Sequence, residues 1–303
     1  MKTKLVSILI PTYQRPLTLS RAIDSVLNQT YTNIEVIVVD DNNPNTDERL
    51  ETEGVMLGYK KNSKVKYIKH EYNKNGSAAR NTAFQNSKGE YIMLLDDDDE
   101  FLPSKVEAQV NRLEKLDSSW GACYTKYKRL KNGKIDTVCA EKKEGNLYFD
   151  ELCRNLFIQA GSNLMLRREV FNELGGFDES FQRNQDIEFT VRLLKKYKLA
   201  YVDEMGLIYH RHSTKRFFNM DKITNHYLST FKLQIDELSE VEKVKFYKII
   251  NLQLFRYKVL TIRDFKAGYS MVKNEDVSLI DIFKYFTHLG YRRMFKKSYG
   301  FNL

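Results

Sequence analysis

Residues Tyr91 to Pro103 read YIMLLDDDDEFLP, and this stretch decides the architecture. Tyr91 to Leu95 is a short unbroken apolar run, the pattern of a strand buried on both faces. It stops abruptly at Asp96, Asp97, Asp98 and Asp99, with Glu100 behind them. Four adjacent carboxylates repel one another, and a bound divalent cation with oxygen ligands relieves that repulsion. Taken alone, an acidic run is more often a solvated turn or a structural cation site. Its position points to a ligand, because open parallel sheets bind ligands outside the carboxyl ends of their strands.

Upstream, Leu5 to Ile10 (LVSILI) reads as a strand ended by Pro11. The loop PTYQRP leads to a helix over about residues 17–29, with Leu19, Ala22, Ile23, Val26 and Leu27 at helical spacing. Ile34 to Val39 is a second buried strand; it also ends in carboxylates, Asp40 and Asp41, before the turn-forming NNPN. Val65 to Lys69 is a weaker third strand. After the Asn75-Gly76 turn, Ser77 is expected to cap a helix over 78–86, and Gly89 stops it. This alternation of strand and helix predicts an α/β fold with a parallel sheet covered by helices on both faces. Thr12, Tyr13 and Arg15 should then lie near Asp40, Asp41 and the Asp96–Asp99 run. No GxGxxG and no GxxxxGK[ST] follows any strand. A pyrophosphate would therefore have to be neutralised by a metal and not cradled by backbone.

The 303 residues are long for one domain, and 42% hydrophobic with 29% charged content is ordinary for a soluble globular chain. No apolar run is long enough to cross a bilayer, and Pro11 cuts off any signal-peptide core. Cys123, Cys139 and Cys153 show no CxxC spacing and read as ordinary thiols of a reducing cytoplasm. Charge divides the chain unevenly. Residues 1–214 carry 32 Lys+Arg against 31 Asp+Glu, and residues 215–303 carry 17 against 9, so +8 of the net +9 sits in the last part. Such asymmetry marks a separate job for that part, whereas near-neutral residues 1–214 argue against nucleic acid as a partner.

VSILIPTYQRP, VIVVDD, NGSAARNTAF followed by KGEYIMLLDDDD, GSNLMLRREVFNELGGFDES and QDIEFTVRL together resemble the family 2 glycosyltransferases of GT-A fold. The five segments stand in the family's order over about residues 5–212. The resemblance implies a Rossmann-like, mixed but mostly parallel sheet. It implies a catalytic domain over 1–214, with a nucleotide-binding half (about 1–100) and an acceptor-side half (101–214); it does not cover 215–303, which charge and periodicity make a helical basic region. It also implies transfer of a sugar from a nucleotide-diphosphate donor, a UDP-sugar, to a hydroxyl of a saccharide or lipid-linked saccharide in cell-surface polysaccharide synthesis. The anomeric carbon would be inverted, and the cofactor would be Mn²⁺ or Mg²⁺.

By the same resemblance, Tyr13 stacks on the base, Asp40 accepts from the base N–H, and Pro11, Thr12, Arg15 and Arg80 complete the nucleotide site. Asp96 contacts the ribose with Asp97 beside it, and Asp98 is the direct metal ligand, although the unbroken DDDD lets that register slip by one. Asp186 is the general base for the acceptor hydroxyl, where the residues alone suggest only an acid at a helix start. His212, in YHRH, joins the metal or diphosphate site. Gly161-Ser162-Asn163 and Gly175-Gly176-Phe177-Asp178 belong to the acceptor side.

From about Ile223 the chain is helical in pattern. Leu279, Ile282, Phe283, Phe286 and Leu289 form a stripe followed by Arg292, Arg293, Lys296 and Lys297. Two readings of this region stand equal: contact with an anionic membrane surface, or packing on the catalytic part, including a homodimer. The first places the chain in the cytoplasm, peripheral at the inner face of the cell membrane. Two other functions compete. A nucleotidyltransferase of related sheet architecture would need a glycine-rich basic loop that PTYQRP does not supply, and a cation-stabilised binding module would need no catalytic base.

Overall fold

The computed structural model describes residues 3–181, 183–211, 219–274 and 276–302. The first elements are β1 (Val6–Thr12), α1 (Pro16–Leu27), β2 (Ile34–Asp40), α2 (Asp47–Leu57), β3 (Val65–Lys69), α3 (Gly76–Gln85) and β4 (Tyr91–Leu94). The chain continues through β5 (Glu100–Phe101), α4 (Lys105–Leu113), β6 (Trp120–Lys131), β7 (Lys134–Cys139), α5 (Tyr148–Leu152), α6 (Ala160–Asn163), β8 (Met165–Arg167), α7 (Arg168–Glu173), α8 (Gln185–Lys196) and β9 (Lys198–Arg211). After it come α9 (Met220–Thr230), α10 (Lys232–Asp236), α11 (Glu240–Arg256), a π-helical turn (Tyr257–Ile262), α12 (Phe265–Lys273), α13 (Leu279–Met294) and β10 (Lys297–Ser298).

The sheet runs β10-β7-β6-β8-β4-β1-β2-β3, with β9 paired to β5 and β6. β1, β2, β3 and β4 are mutually parallel, whereas β8 is antiparallel to both β4 and β6. The mixed, mostly parallel sheet of the expectation is therefore present. Side chains alternate across it. Ile8, Ile10, Val36, Val38 and Met93 pack with Leu19, Ile23 and Val106 on one face. Leu9, Ile37, Val39, Ile92 and Leu94 pack with Ala79, Phe171 and Phe189 on the other. Burial on both faces is why these strands read as unbroken apolar runs.

Register brings the polar ends together. Thr12 stands opposite Asp40, and Leu9 opposite Leu94, so the loops after β1, β2 and β4 leave one edge side by side. Helix α3 begins earlier than expected. Its cap is Asn75, at φ 90°, whose side chain accepts from the backbone N–H groups of Ser77 and Ala78 at 2.9 and 3.2 Å; Ser77 itself is buried inside the first turn. Asn tolerates the left-handed region better than Ser, which places the cap there.

The last ninety or so residues are tied into the rest. Tyr227, Phe231, Phe246 and Ile250 share a core with Leu152, Cys153 and Val191. β10 extends the sheet beside β7, and Phe301 exchanges two backbone hydrogen bonds with the Asn155 side chain at 2.7 and 2.8 Å. The expected stripe on α13 divides between the two sides of the helix. Ile282, Phe286 and Leu289 pack inward beside Tyr285, and Leu279 and Phe283 stay exposed. No helix among the described residues is long and apolar enough to cross a membrane.

One buried ion pair fixes the loop after β2. Arg49, on α2, forms an ion pair with the Asp40 carboxylate at 3.3 Å and donates to the carbonyls of Asn42 and His70. Replacing one partner of a buried pair strands the other charge. Arg49→Met should destabilise the fold by about 3–5 kcal/mol in urea unfolding. Lys69→Ala, which removes a solvent-exposed pair with Glu53, should cost less than about 1 kcal/mol.

Candidate active site

A cleft of about 620 Å³ opens at the carboxyl ends of β1, β2 and β4. Pro11, Thr12, Tyr13, Arg15, Arg80, Asp96 and Asp97 line it, seven of the eight residues expected to meet a nucleotide. Tyr13 is half exposed at its mouth, free to present a ring face. Asp40, the eighth, is elsewhere. It is fully buried, one oxygen accepting from the backbone and side chain of Asn42 at 2.9 Å and the other from the Tyr67 hydroxyl at 2.5 Å, beside the paired Arg49 guanidinium. Asp41 reaches the cleft instead. Its carboxylate accepts from the backbone of Lys74 and Asn75 and the side chain of Asn73 at 2.8–2.9 Å, and pairs with the His70 ring at 2.7 Å. Asp40 thus fixes the Asn42 turn next to Asp41. Adjacent acids at a strand end alternate in direction, and sequence alone did not say which of the two faces the ligand.

The four-aspartate run is similarly sorted. Asp97 turns toward β1: Thr12 Oγ1 donates to it at 2.8 Å, the Tyr13 N–H at 3.3 Å and Arg15 at 3.1 Å. Burial pushes its carboxyl up to about 7, against the pull of Arg15. Asp96, Asp98 and Asp99 face one another, each offering a carboxylate oxygen within 4.8 Å of the others. Asp98 also contacts Arg15 at 2.7 Å. Asp99 accepts from the His210 N–H at 3.0 Å, while its other oxygen is buried without a hydrogen-bond partner. Burial and its acidic neighbours push its carboxyl well above the usual range. An orphaned buried oxygen amid three converging carboxylates fits a hard, oxygen-seeking cation. Asp99 thereby joins Asp98 among the candidate ligands, and His212 lies outside the described residues. His210 engages Glu100 through its ring.

Asp186 sits at the first turn of α8, after Asn184 in the left-handed conformation. Arg80 ties this turn to the acids: one guanidinium nitrogen donates to Asp96 at 2.5 Å and another to the Gln185 side chain at 3.1 Å. The Asp186 carboxyl is shifted up by burial, opposed by Arg80 and assisted by Asp96. It therefore belongs to the same electrostatic site as the acid run. Asn81 fixes the geometry from the next position on α3, exchanging hydrogen bonds with the Phe177 backbone at 2.8 and 2.9 Å. Gly176, at φ 78°, is needed there, since a Cβ would lie 2.6 Å from the Asn81 side-chain oxygen.

Several supporting residues escaped the sequence reading. Glu151, on α5, is buried, and its carboxyl is pushed well up by burial and then by Asp186. Lys105, fully buried and pulled down to about 7 by burial, donates to Thr125 and Asn163 at 3.0 and 2.5 Å. It anchors α6, whose Ser162 hydroxyl accepts from the Asp96 N–H at 3.1 Å. A lysine five residues after an acidic run carries no local signal of burial; only the tertiary fold encloses it.

A doubly covered α/β sheet with converging acids, arginines and a nucleotide-sized cleft at its strand ends defines a GT-A-like site. A family model for glycosyl transferase family 2 matches residues 7–175, and the chain belongs to that family. It is 35% identical over 252 residues to a glycosyltransferase of Rickettsia felis, covering 80% of this chain but 40% of that one. The chain thus spans about two fifths of the length of such Rickettsia relatives. It is 29% identical over 273 residues to WfgD of Escherichia coli, a UDP-Glc:alpha-D-GlcNAc-diphosphoundecaprenol beta-1,3-glucosyltransferase, covering 88% of this chain and 99% of that one. The fold is shared with S. aureus TarS in complex with UDP-GlcNAc, at TM-score 0.62 and 17% identity, over 86% of this chain and 74% of that one.

The raised Asp97 carboxyl has a signed consequence. Between an ordinary aspartate pKa near about 4 and the folded value of about 7, the folded chain binds the extra proton, so stability falls as pH rises through that window. Asp97→Asn should flatten the urea-measured slope there by up to about 1.4 kcal/mol per pH unit. An unchanged slope would remove Asp97 as the titrating group.

Proposed function

We propose that this chain is an inverting, divalent-cation-dependent glycosyltransferase. It moves a sugar from a UDP-sugar to a hydroxyl of a lipid-linked saccharide in cell-surface polysaccharide synthesis, at the inner face of the cell membrane. The observation that carries the reading is Arg80 joining Asp96 to Gln185, which brings the acid run and the Asp186 turn into one charged site. The glucosyltransferase WfgD, matched over nearly its whole length, supports the donor and acceptor classes.

In this reading the Tyr13 ring covers the base, and Asp41, in place of Asp40, accepts its N–H. Asp96 meets the ribose, and Arg15 and Arg80 face the diphosphate. Asp96, Asp98 and Asp99 would hold Mn²⁺ or Mg²⁺, with His212 as a further ligand. The cation, when bound, offsets the negative charge of the leaving diphosphate. Asp186 takes the proton from the acceptor hydroxyl as that oxygen attacks the anomeric carbon opposite the nucleotide. A single displacement turns an α-linked donor into a β-linked product. Burial of Asp186 raises its basicity, which favours proton abstraction near neutral pH.

The test is a panel of UDP-sugars with extracted lipid-linked acceptors, scored by nucleoside diphosphate release. Asp186→Asn should keep donor binding and lower transfer about 10²–10⁴-fold. Asp98→Ala should lose binding and transfer together. The wild-type rate at saturating acceptor should fall on acidification through a midpoint above about 4, and the asparagine variant should lack that limb. Near wild-type transfer by Asp186→Asn would dismiss it as the base.

A further inference from the structure

Helix α13 is apolar on both sides. Its inner side, Ile282, Tyr285, Phe286 and Leu289, completes a core with Leu252, Phe255 and Phe301. Its outer side carries Ile280, Phe283, Thr287, Tyr291 and Met294, spaced by three or four residues and so aligned along the helix. Ile280, Phe283 and Met294 are 68%, 70% and 76% exposed, and Leu279 beside them 71%. A surface helix ordinarily presents polar residues there, so the fold does not require this face. The patch continues onto the first turns of α11. Val241 and Val244, 67% and 64% exposed, line a groove of about 510 Å³ with Glu240, Lys245, Lys248, Asp281 and Lys284.

Charge selects the occupant. On α13, its end and the groove stand Lys245, Lys248, Lys284, Arg293, Lys296 and Lys297 against Glu240 and Asp281, which pair with Lys243 at 2.9 Å and Lys248 at 3.0 Å, while Arg292 turns inward onto the Phe157 ring. A second copy of the chain seated symmetrically on this face would set basic side chains against basic side chains. An anionic bilayer complements them, and the aromatic rings of Phe283, Tyr291 and Phe295 suit its interface.

We propose that the outer face of α13, with the start of α11, docks on an anionic lipid bilayer. The inference rests on the lipid-linked-acceptor reading, which it deepens by naming the surface that brings the site to its acceptor. The coupling is mechanical. Val191 and Ile187 of α8, the helix that starts at Asp186, pack in the same core as Phe246 and Ile249 of α11.

The experiment uses the full chain with extruded vesicles of phosphatidylcholine, alone or with phosphatidylglycerol, read by flotation without donor or acceptor. Wild type should float with the anionic vesicles, lose most of that binding between about 0.05 and 0.5 M salt, and float poorly with phosphatidylcholine alone. The double variant Ile280→Glu, Phe283→Glu alters only exposed side chains and should reduce flotation at least about tenfold. Equal flotation of variant and wild type, no flotation of wild type, or equal binding to both vesicle types overturns the proposal. So does a wild-type dimer by light scattering that the double variant dissociates, which would give the face to a second copy. UDP binding, measured by calorimetry on the same preparations, reads the active site separately. A chain that binds UDP but does not float overturns the docking alone, and one that floats without binding UDP overturns the active-site reading alone.

Discussion

Like charges gathered at the open end of a parallel sheet are the constraint that the rest of this molecule answers. Six aspartates end β2 and β4, and their mutual repulsion in a partly buried site would prise the loops apart. Three arginines from three different segments oppose it: Arg15 from the loop after β1, Arg49 from α2 and Arg80 from α3. Each does a different job. Arg49 is buried and structural, whereas Arg15 and Arg80 line the cleft, each held by carboxylates of the acid run. Asp96 and Asp98, which keep these two arginines as partners, converge with Asp99. Charge compensation thus divides the acids between those that hold the fold and those that face a ligand.

Much of this was legible beforehand. Apolar runs ending in aspartates and the NGSAARN segment identified the sheet, its strand ends and seven of the residues that line the cleft. What stayed hidden has a common cause, since side-chain direction at the end of a strand depends on tertiary neighbours. DD at 40–41 and DDDD at 96–99 looked interchangeable, yet Arg49 and Tyr67 claim Asp40, and Thr12 claims Asp97. Lys105 and Glu151 look like surface residues in sequence, and only burial distinguishes them. The capping of α3 by Asn75 turned on a positive φ that spacing does not encode.

The helical region shows the reverse case, where periodicity was visible but its partner was not. The apolar residues of α13 were read as one stripe, and the helix uses some for its own core and leaves others outside. The helical region as a whole packs on α5 and α8 through α9 and α11, and β10 extends the sheet beside β7.

The central claim is that Asp96, Asp98 and Asp99 take up a divalent cation together with a nucleoside diphosphate. Electron paramagnetic resonance of Mn²⁺ tests it most directly, because the sharp signal of the free ion fades on binding. Adding the protein alone should reduce that signal little, while UDP and protein together should reduce it more than UDP alone can. A free-ion signal indifferent to the protein at saturating UDP would contradict the account.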